Sequence, residues 1–203
     1  MEADLGGPGP ALPDESSGLR LVIGLGNPGA EYEATRHNVG FRVVEETARR
    51  AGVRFSRGEC NCLTARTERA FLALPQTFMN RSGHAARCLV EKHGLAPESV
   101  LVVLDEIALP LGKLRVRPSG SPGGHRGLES ILESLQSDRV HRLRLGIRDV
   151  EGPAGGEGLA DYVLGPFAPE DRDRVEDMVS RGADAVECWL GDGIDRAMAR
   201  FNG

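Results

Sequence analysis

The chain has 203 residues and a mass of 21.8 kDa, the size of one α/β domain with a short tail. Hydrophobic residues make up 40% of it, which supports one core and excludes wholesale disorder. The net charge of −5 argues against a protein coated overall in nucleic acid, and no apolar run approaches the roughly 20 residues that span a bilayer.

The N-terminal segment and the cysteines are the features that indicate the cellular compartment of the protein. Residues 1–18 are acidic and rich in Gly, Pro and Ser, with neither the apolar stretch of a signal peptide nor the Arg-rich character of a transit peptide. We expect a disordered tail over residues 1–18 and a folded domain over residues 19–203. Cys60 and Cys62 lack the C-x-x-C spacing of redox or zinc sites, so we predict free thiols in a cytoplasmic protein.

In the first half of the folded region, short apolar runs predict buried strands, and apolar residues at helical spacing between them predict helices. The predicted elements are a strand over residues 19–25, a helix over 39–50 capped by Asn38, a strand over 70–74, a helix over 82–93 and a strand over 100–104 that ends in Asp105.

The second half continues this alternation without a repeat or an interdomain linker. Its predicted elements are a half-exposed strand over residues 113–117, a glycine-rich loop over 119–124, a helix carrying Leu128 to Leu135, a strand over 143–148, a glycine-rich stretch over 151–158 and a long helical region from Pro169. Strands interleaved with helices predict one α/β domain with a mostly parallel or mixed sheet.

Residues 24–29 (GLGNPG) match the dinucleotide-binding fingerprint G-x-G-x-x-G. That motif needs a helix N-terminus aimed at a pyrophosphate, whereas Glu31 and Glu33 place two carboxylates there. An acid at the end of a second strand is also missing, because Glu45 and Glu46 fall inside the predicted helix. We therefore predict no nicotinamide and no other cofactor.

His37 follows the first strand and Asp105 ends the third, so both fall at the carboxyl edge where α/β sheets gather functional residues. A carboxylate bonded to one imidazole nitrogen leaves the other free as a base. No nucleophile accompanies this pair, because Ser82 and Cys88 lie in a predicted helix without a nucleophile-elbow sequence. His37 and Asp105 would therefore activate water. The alternative is a loop histidine and a helix-capping aspartate.

The histidines show no metal-ligand spacing, so we predict no metal site. Charge is uneven along the chain: residues 113–148 contain eight basic residues against three acidic ones, and His125 and His141 could add to them. Such a cluster is typical of a phosphate-binding surface, and a solvated strand and helix face is the alternative.

Several motifs together resemble the bacterial-type peptidyl-tRNA hydrolases over about residues 19–201. The matching segments are residues 24–29 (GLGNPG), Tyr32, 35–40 (TRHNVG), 75–83 (PQTFMNRSG), Asp105-Glu106 with 109–112 (LPLG), 123–128 (GGHRGL), 141–147 (HRLRLGI) and 162–165 (YVLG).

The resemblance implies a monomeric α/β enzyme with a twisted mixed sheet and no membrane association. It would cleave the ester between a peptide and the 3′ ribose of tRNA and so recycle tRNA from abortive translation. His37 would be the base and Asp105 its partner, while Asn27 and Asn80 would bind the peptide and the scissile carbonyl. The remaining roles implied by position are Tyr32, Phe78 and Met79 lining the site, and Arg117 and Arg144 binding tRNA phosphates.

Arg126 departs from the family pattern, which commonly has asparagine after Gly-Gly-His. Arginine has five donors and no acceptor, so it cannot accept a hydrogen bond from water. It would instead stabilise the oxyanion or bind a phosphate. A catalytically silent RNA-binding relative is the alternative function, although the joint presence of Asn27, His37, Asn80 and Asp105 favours the enzyme.

Overall fold

The structure is a computed structural model that describes residues 18–149, 152 and 158–203. The predicted tail, apart from Gly18, lies outside the described residues. So does the predicted glycine-rich stretch over 151–158, apart from Gly152 and Gly158. Within the described part of the chain, no helix has the length and apolar character needed to cross a membrane.

A seven-stranded mixed sheet forms the centre of the fold. Its strands are β1 (Arg20–Gly24), β2 (Ser56–Arg57), β3 (Cys62–Arg66), β4 (Ala70–Pro75), β5 (Val100–Pro110), β6 (Leu114–Arg117) and β7 (His141–Arg148). They lie in the order β2-β3-β4-β1-β5-β7-β6, and the neighbours from β4 to β7 are parallel while the outer pairs are antiparallel. The predicted mixed, mostly parallel α/β sheet is confirmed.

Helices cover both faces of this sheet. They are α1 (Val39–Arg50), α2 (Ser82–His93), α3 (Arg126–Leu135), α4 (Leu159–Leu164) and α5 (Arg172–Phe201). One core cluster joins α1 and α5 to one face, and a second joins α2 and α3 to the other. In the central strand β1, the residues after Arg20 are apolar and buried because both faces of the strand are covered.

The start of α1 packs unusually close to the sheet at Gly40. A Cβ at this position would lie 2.4 Å from the Val103 carbonyl oxygen and 2.7 Å from that of Leu25, so only glycine permits the approach. This contact brings the 3₁₀ turn Arg36–Asn38, which directly precedes α1, onto the carboxyl end of β1 and the middle of β5.

Strand β5 is longer than predicted, and Asp105 lies inside it rather than at its end. The reason is pairing with β7, which runs from Leu101–His141 to Glu106–Gly146 and resumes at Pro110–Arg148 after an irregularity. Residues beyond Asp105 therefore stay extended through contacts with a strand that lies far away in the sequence.

The prediction that all the cysteines are free thiols is wrong for two of them. Cys60, between β2 and β3, forms a disulfide with Cys88 of α2, while Cys62 and Cys188 are free and buried. The two bonded cysteines are 28 residues apart in sequence, and only the packing of the β2–β3 turn against α2 makes them neighbours.

Candidate active site

A cleft of about 540 Å³ opens beside residues 105–107 in the middle of β5, where β1 and β4 lead into their following segments. It brings together His37, Asp105, Asn27, Asn80, Phe78, Met79 and Arg126, all of which were predicted as site residues. Its other lining residues are Glu106, Ile107, Gly123, Gly124, His125, Leu159, Ala160, Val163 and Leu164.

His37 and Asp105 form a hydrogen-bonded pair at the floor of this cleft. Nδ1 of His37 lies 2.8 Å from Oδ1 of Asp105, whose side chain is only 3% exposed. With Nδ1 engaged, Nε2 is the ring nitrogen of His37 that remains to act on water. An imidazole held in this way can act as a general base.

His125 is a second partner of the same carboxylate, and it was not among the residues predicted for the site. Its Nε2 lies 2.9 Å from Oδ1 of Asp105, and its Nδ1 accepts the backbone N–H of Leu128 at 3.3 Å. Because Nδ1 is an acceptor, Nε2 carries the proton and donates to Asp105. The place of His125 directly before a predicted helix indicates a helix cap, which it forms, but not its contact with Asp105.

These contacts move the pKa values of both groups. Burial alone would raise the pKa of Asp105, but the adjacent imidazoles of His37 and His125, and their hydrogen bonds, hold it well below its usual range. Burial lowers the pKa of His37, yet the charge and hydrogen bond of Asp105 outweigh it and the pKa is raised above 6.5. Asp105 is therefore ionised, and His37 accepts a proton readily.

Asn27 shapes the cleft through its side-chain oxygen. Oδ1 accepts the backbone N–H of Met79 at 2.8 Å, which leaves the amide nitrogen Nδ2 as the end that can donate to a substrate. Asn38 holds Asn27 in turn, with two reciprocal bonds of 2.9 Å between its side-chain amide and the Asn27 backbone. Asn38 precedes α1 as predicted, but its side chain binds Asn27 instead of capping the helix.

The segment after β4 supplies the next residues of the site. Met79 is buried, Asn80 is exposed on the 3₁₀ turn Met79–Arg81, and the Phe78 side chain is 59% exposed at the rim. Gly127 of α3 packs against Met79, where a Cβ would lie 2.4 Å from the sulfur. Close contact with α3 thus fixes the turn that carries Asn80.

Two other predicted residues differ in their relation to the cleft. Tyr32 is half-buried and is not one of the described residues that line it. Arg126 is exposed, is the first residue of α3 and lies at the cleft, directly beside His125. Its charge is therefore available to a substrate group that enters there.

Four arginines meet where β6 pairs with β7, because Arg115 lies opposite Arg144 and Arg117 opposite Arg142. Arg115 and Arg117 are exposed, whereas Arg142 is fully buried and binds four backbone carbonyls around it, among them that of Gly120. Like charges side by side on a strand pair are unfavourable unless an anion neutralises them.

Arg144 is already engaged inside the protein. It donates to Oε2 of Glu106 at 2.7 Å and to the Ser121 carbonyl oxygen at 3.0 Å, so it ties the glycine-rich loop to β5. Arg117 is thus the freer of the two predicted phosphate-binding residues.

His37, Asp105 and His125 also form the one group of potential metal ligands among the described residues, with one ligand atom from each within 4.8 Å of the others. Two N–H donors sharing one carboxylate oxygen account for this geometry, and an ion would have to replace both hydrogen bonds. The absence of a metal site stays a prediction.

Comparison with known proteins gives consistent matches along the chain. The family model for peptidyl-tRNA hydrolase matches residues 21–203. The peptidyl-tRNA hydrolase of Methylacidiphilum infernorum is 48% identical over 186 residues, which cover 91% of this chain and 98% of that protein. That of Halalkalibacterium halodurans is 40% identical over 188 residues, 91% of this chain and all 100% of the relative.

A solved structure extends the similarity to three dimensions. The crystal structure of peptidyl-tRNA hydrolase from Acinetobacter baumannii superposes with a TM-score of 0.85 at 31% identity. The superposition covers 94% of this chain and 97% of that one.

Proposed function

The chain belongs to the peptidyl-tRNA hydrolase family and hydrolyses peptidyl-tRNA, and we propose that His37 activates the attacking water with Asp105 as its partner. The observation that supports this most directly is the 2.8 Å contact between Nδ1 of His37 and Asp105 in the cleft. The carboxylate fixes the tautomer of the imidazole and stabilises the imidazolium that forms during the reaction.

The reaction then follows in two steps. Nε2 of His37 takes a proton from water as the oxygen attacks the ester carbonyl carbon, and the carbonyl oxygen becomes an oxyanion. Collapse of this tetrahedral intermediate breaks the bond to the 3′ oxygen of the ribose, which receives the proton from His37. The products are a peptide with a free carboxyl group and a tRNA with a free 3′ hydroxyl.

Neutral amides suit the positioning of the substrate. The amide nitrogen Nδ2 of Asn27 and the side chain of Asn80 would bind the scissile carbonyl and the peptide backbone. Every peptide presents these groups, whatever its sequence. The exposed Phe78 ring offers a face on which the terminal adenosine can stack, with Met79 beneath the site. Recognition of this kind does not depend on the peptide side chains.

The basic surface on β6 and β7 is our candidate for the tRNA backbone. Arg117 would bind a phosphate directly, and Arg144 would do so while keeping its contacts with Glu106 and Ser121. Neutralisation of the paired arginines by phosphates would relieve their mutual repulsion.

The assignment is tested by measuring peptide release from a purified peptidyl-tRNA. His37→Ala is expected to slow release by about 10²–10⁴-fold while tRNA binding persists. His84, exposed on α2 and outside the cleft, provides the control His84→Ala, which should leave the rate unchanged. Near-normal turnover by His37→Ala would show that another group is the base.

A further inference from the structure

One wall of the cleft is formed by α4, through Leu159, Ala160, Val163 and Leu164. This wall is apolar, and Leu164 is 42% exposed. The position of α4 relative to His37 therefore sets the width of the cleft and the fit of whatever binds between them.

Arg36, the residue directly before His37, holds α4 in place. Its Nη1 donates to the Tyr162 carbonyl oxygen at 3.1 Å, and its guanidinium carbon lies 4.0 Å from the centre of the Tyr162 ring. Its backbone N–H also donates to the Gly165 carbonyl oxygen at 3.0 Å, just past the end of α4. One residue thus binds the helix through its side chain and its backbone.

The same arginine connects α4 to the end of β7. Nη2 pairs with Oδ2 of Asp149 at 3.3 Å, and the Tyr162 hydroxyl donates to the Ile147 carbonyl oxygen at 2.9 Å and accepts the Asp149 N–H at 3.1 Å. Arg36 is 9% exposed, so these partners compensate a nearly buried charge. A buried cation with partners in three directions resists displacement.

Arg36 itself does not touch the substrate site, since it is not among the described residues that line the cleft. We propose that Arg36 is a positioning residue for substrate binding, which acts through Tyr162 to fix the apolar wall of α4 against the segment that carries His37. This inference rests on the proposed function of the cleft, and it assigns the substrate-binding geometry to a residue outside it.

The test is a double-mutant cycle on peptide release. Arg36→Gln should raise KM by about ten-fold with a much smaller change in kcat, because the wall is lost and His37 remains. Leu164→Ala should raise KM several-fold in the wild-type background and by less than about two-fold in the Arg36→Gln background, because a wall that is no longer held contributes little.

Arg42→Gln is the matched control, since Arg42 lies on α1 and pairs with Glu176 of α5. Its effect should be small and additive with Leu164→Ala. Additivity between Arg36→Gln and Leu164→Ala, or an unchanged KM in Arg36→Gln, would overturn the proposal. Failure of the proposed function would look different, because His37→Ala would then release peptide at a near-normal rate, whatever the effect of Arg36→Gln.

Asp149→Asn provides a second route should Arg36→Gln fold poorly, since it removes the charge paired with Arg36 and keeps the side-chain shape. Amide hydrogen exchange should become faster in α4 and stay unchanged in α1. Unchanged exchange in α4 in this variant would contradict the proposal without reference to activity.

Discussion

Asn27 holds Met79 across 52 residues of sequence, because its side-chain oxygen accepts the Met79 backbone N–H at 2.8 Å. Oδ1 of this amide thus fixes the segment that carries Asn80, and we propose that Nδ2 donates to the substrate. Substitutions that keep one end and remove the other separate these roles.

Asn27→Ala should lower the free energy of unfolding by about 1–3 kcal/mol, because it leaves a buried N–H without an acceptor. Asn27→Asp keeps an acceptor and should cost less stability, yet both variants lose the donor and should lower kcat/KM by on the order of 10²-fold. Chemical denaturation and peptide release measure the two effects. Wild-type kcat/KM in Asn27→Asp would show that Nδ2 does not bind the substrate.

The pH profile should report the raised pKa of His37. Only the neutral imidazole can accept a proton, so kcat/KM should rise with pH through an inflection above 6.5. Asp105→Asn removes the charge that raises this pKa, so the inflection should move down and the rate should fall, by less than in His37→Ala. If Asp105→Asn and the wild-type protein showed the same inflection, the pH profile would not report the titration of His37 beside Asp105.

Contacts of the basic surface with phosphates should make tRNA binding depend steeply on salt. Arg117→Ala should reduce the slope of log K against log salt by about 0.7–0.9, the value of one phosphate contact, without loss of stability. Arg49, exposed on α1 and paired with Glu46, gives the control Arg49→Ala.

Arg144→Ala should reduce the slope and also the stability, because it releases Glu106 and the Ser121 carbonyl. Equal slopes for Arg117→Ala and the wild-type protein would exclude Arg117.

Local signals in the sequence were sufficient for much of the fold. Helices α1 and α2 begin and end at the predicted residues, because apolar spacing defines their faces and Gly94 adopts the left-handed conformation that ends α2. Asp105 and His37 were paired by position because strand ends of an α/β sheet converge on one edge.

Features that depend on distant partners were not predictable in this way. The short strands β2 and β3 and the six-residue helix α4 carry little periodicity, and α4 is held by Arg36, which is 126 residues away from Tyr162. The contact of His125 with Asp105 and the Cys60–Cys88 disulfide likewise exist only because separate elements pack together. The spacing of residues along the chain does not predict such contacts.

The disulfide should contribute measurably to stability. A cross-link that closes a loop of 28 residues reduces the entropy of the unfolded chain, which corresponds to about 3–4 kcal/mol. Reduction by a dithiol should therefore lower the free energy of unfolding of the wild-type protein and leave a Cys60→Ser, Cys88→Ser double variant unaffected. Thiol titration of the unfolded, unreduced protein should find only Cys62 and Cys188. Reaction of all the cysteines before reduction would contradict the bond.

Arg126 should act on binding more than on chemistry. Its side chain is exposed at the cleft and forms no hydrogen bond or ion pair with the described residues, so a phosphate near the ester is its expected partner. Arg126→Ala should raise KM by about ten-fold at low salt, with the difference shrinking at high salt, and change kcat little. Arg126→Lys should restore most of the affinity, because a point charge is sufficient for a phosphate.

A fall in kcat of on the order of 10²-fold at constant KM would instead place the guanidinium on the oxyanion. An Arg126→Asn protein more active than the wild type would contradict both roles, since a neutral amide would then serve better than a cation at this position.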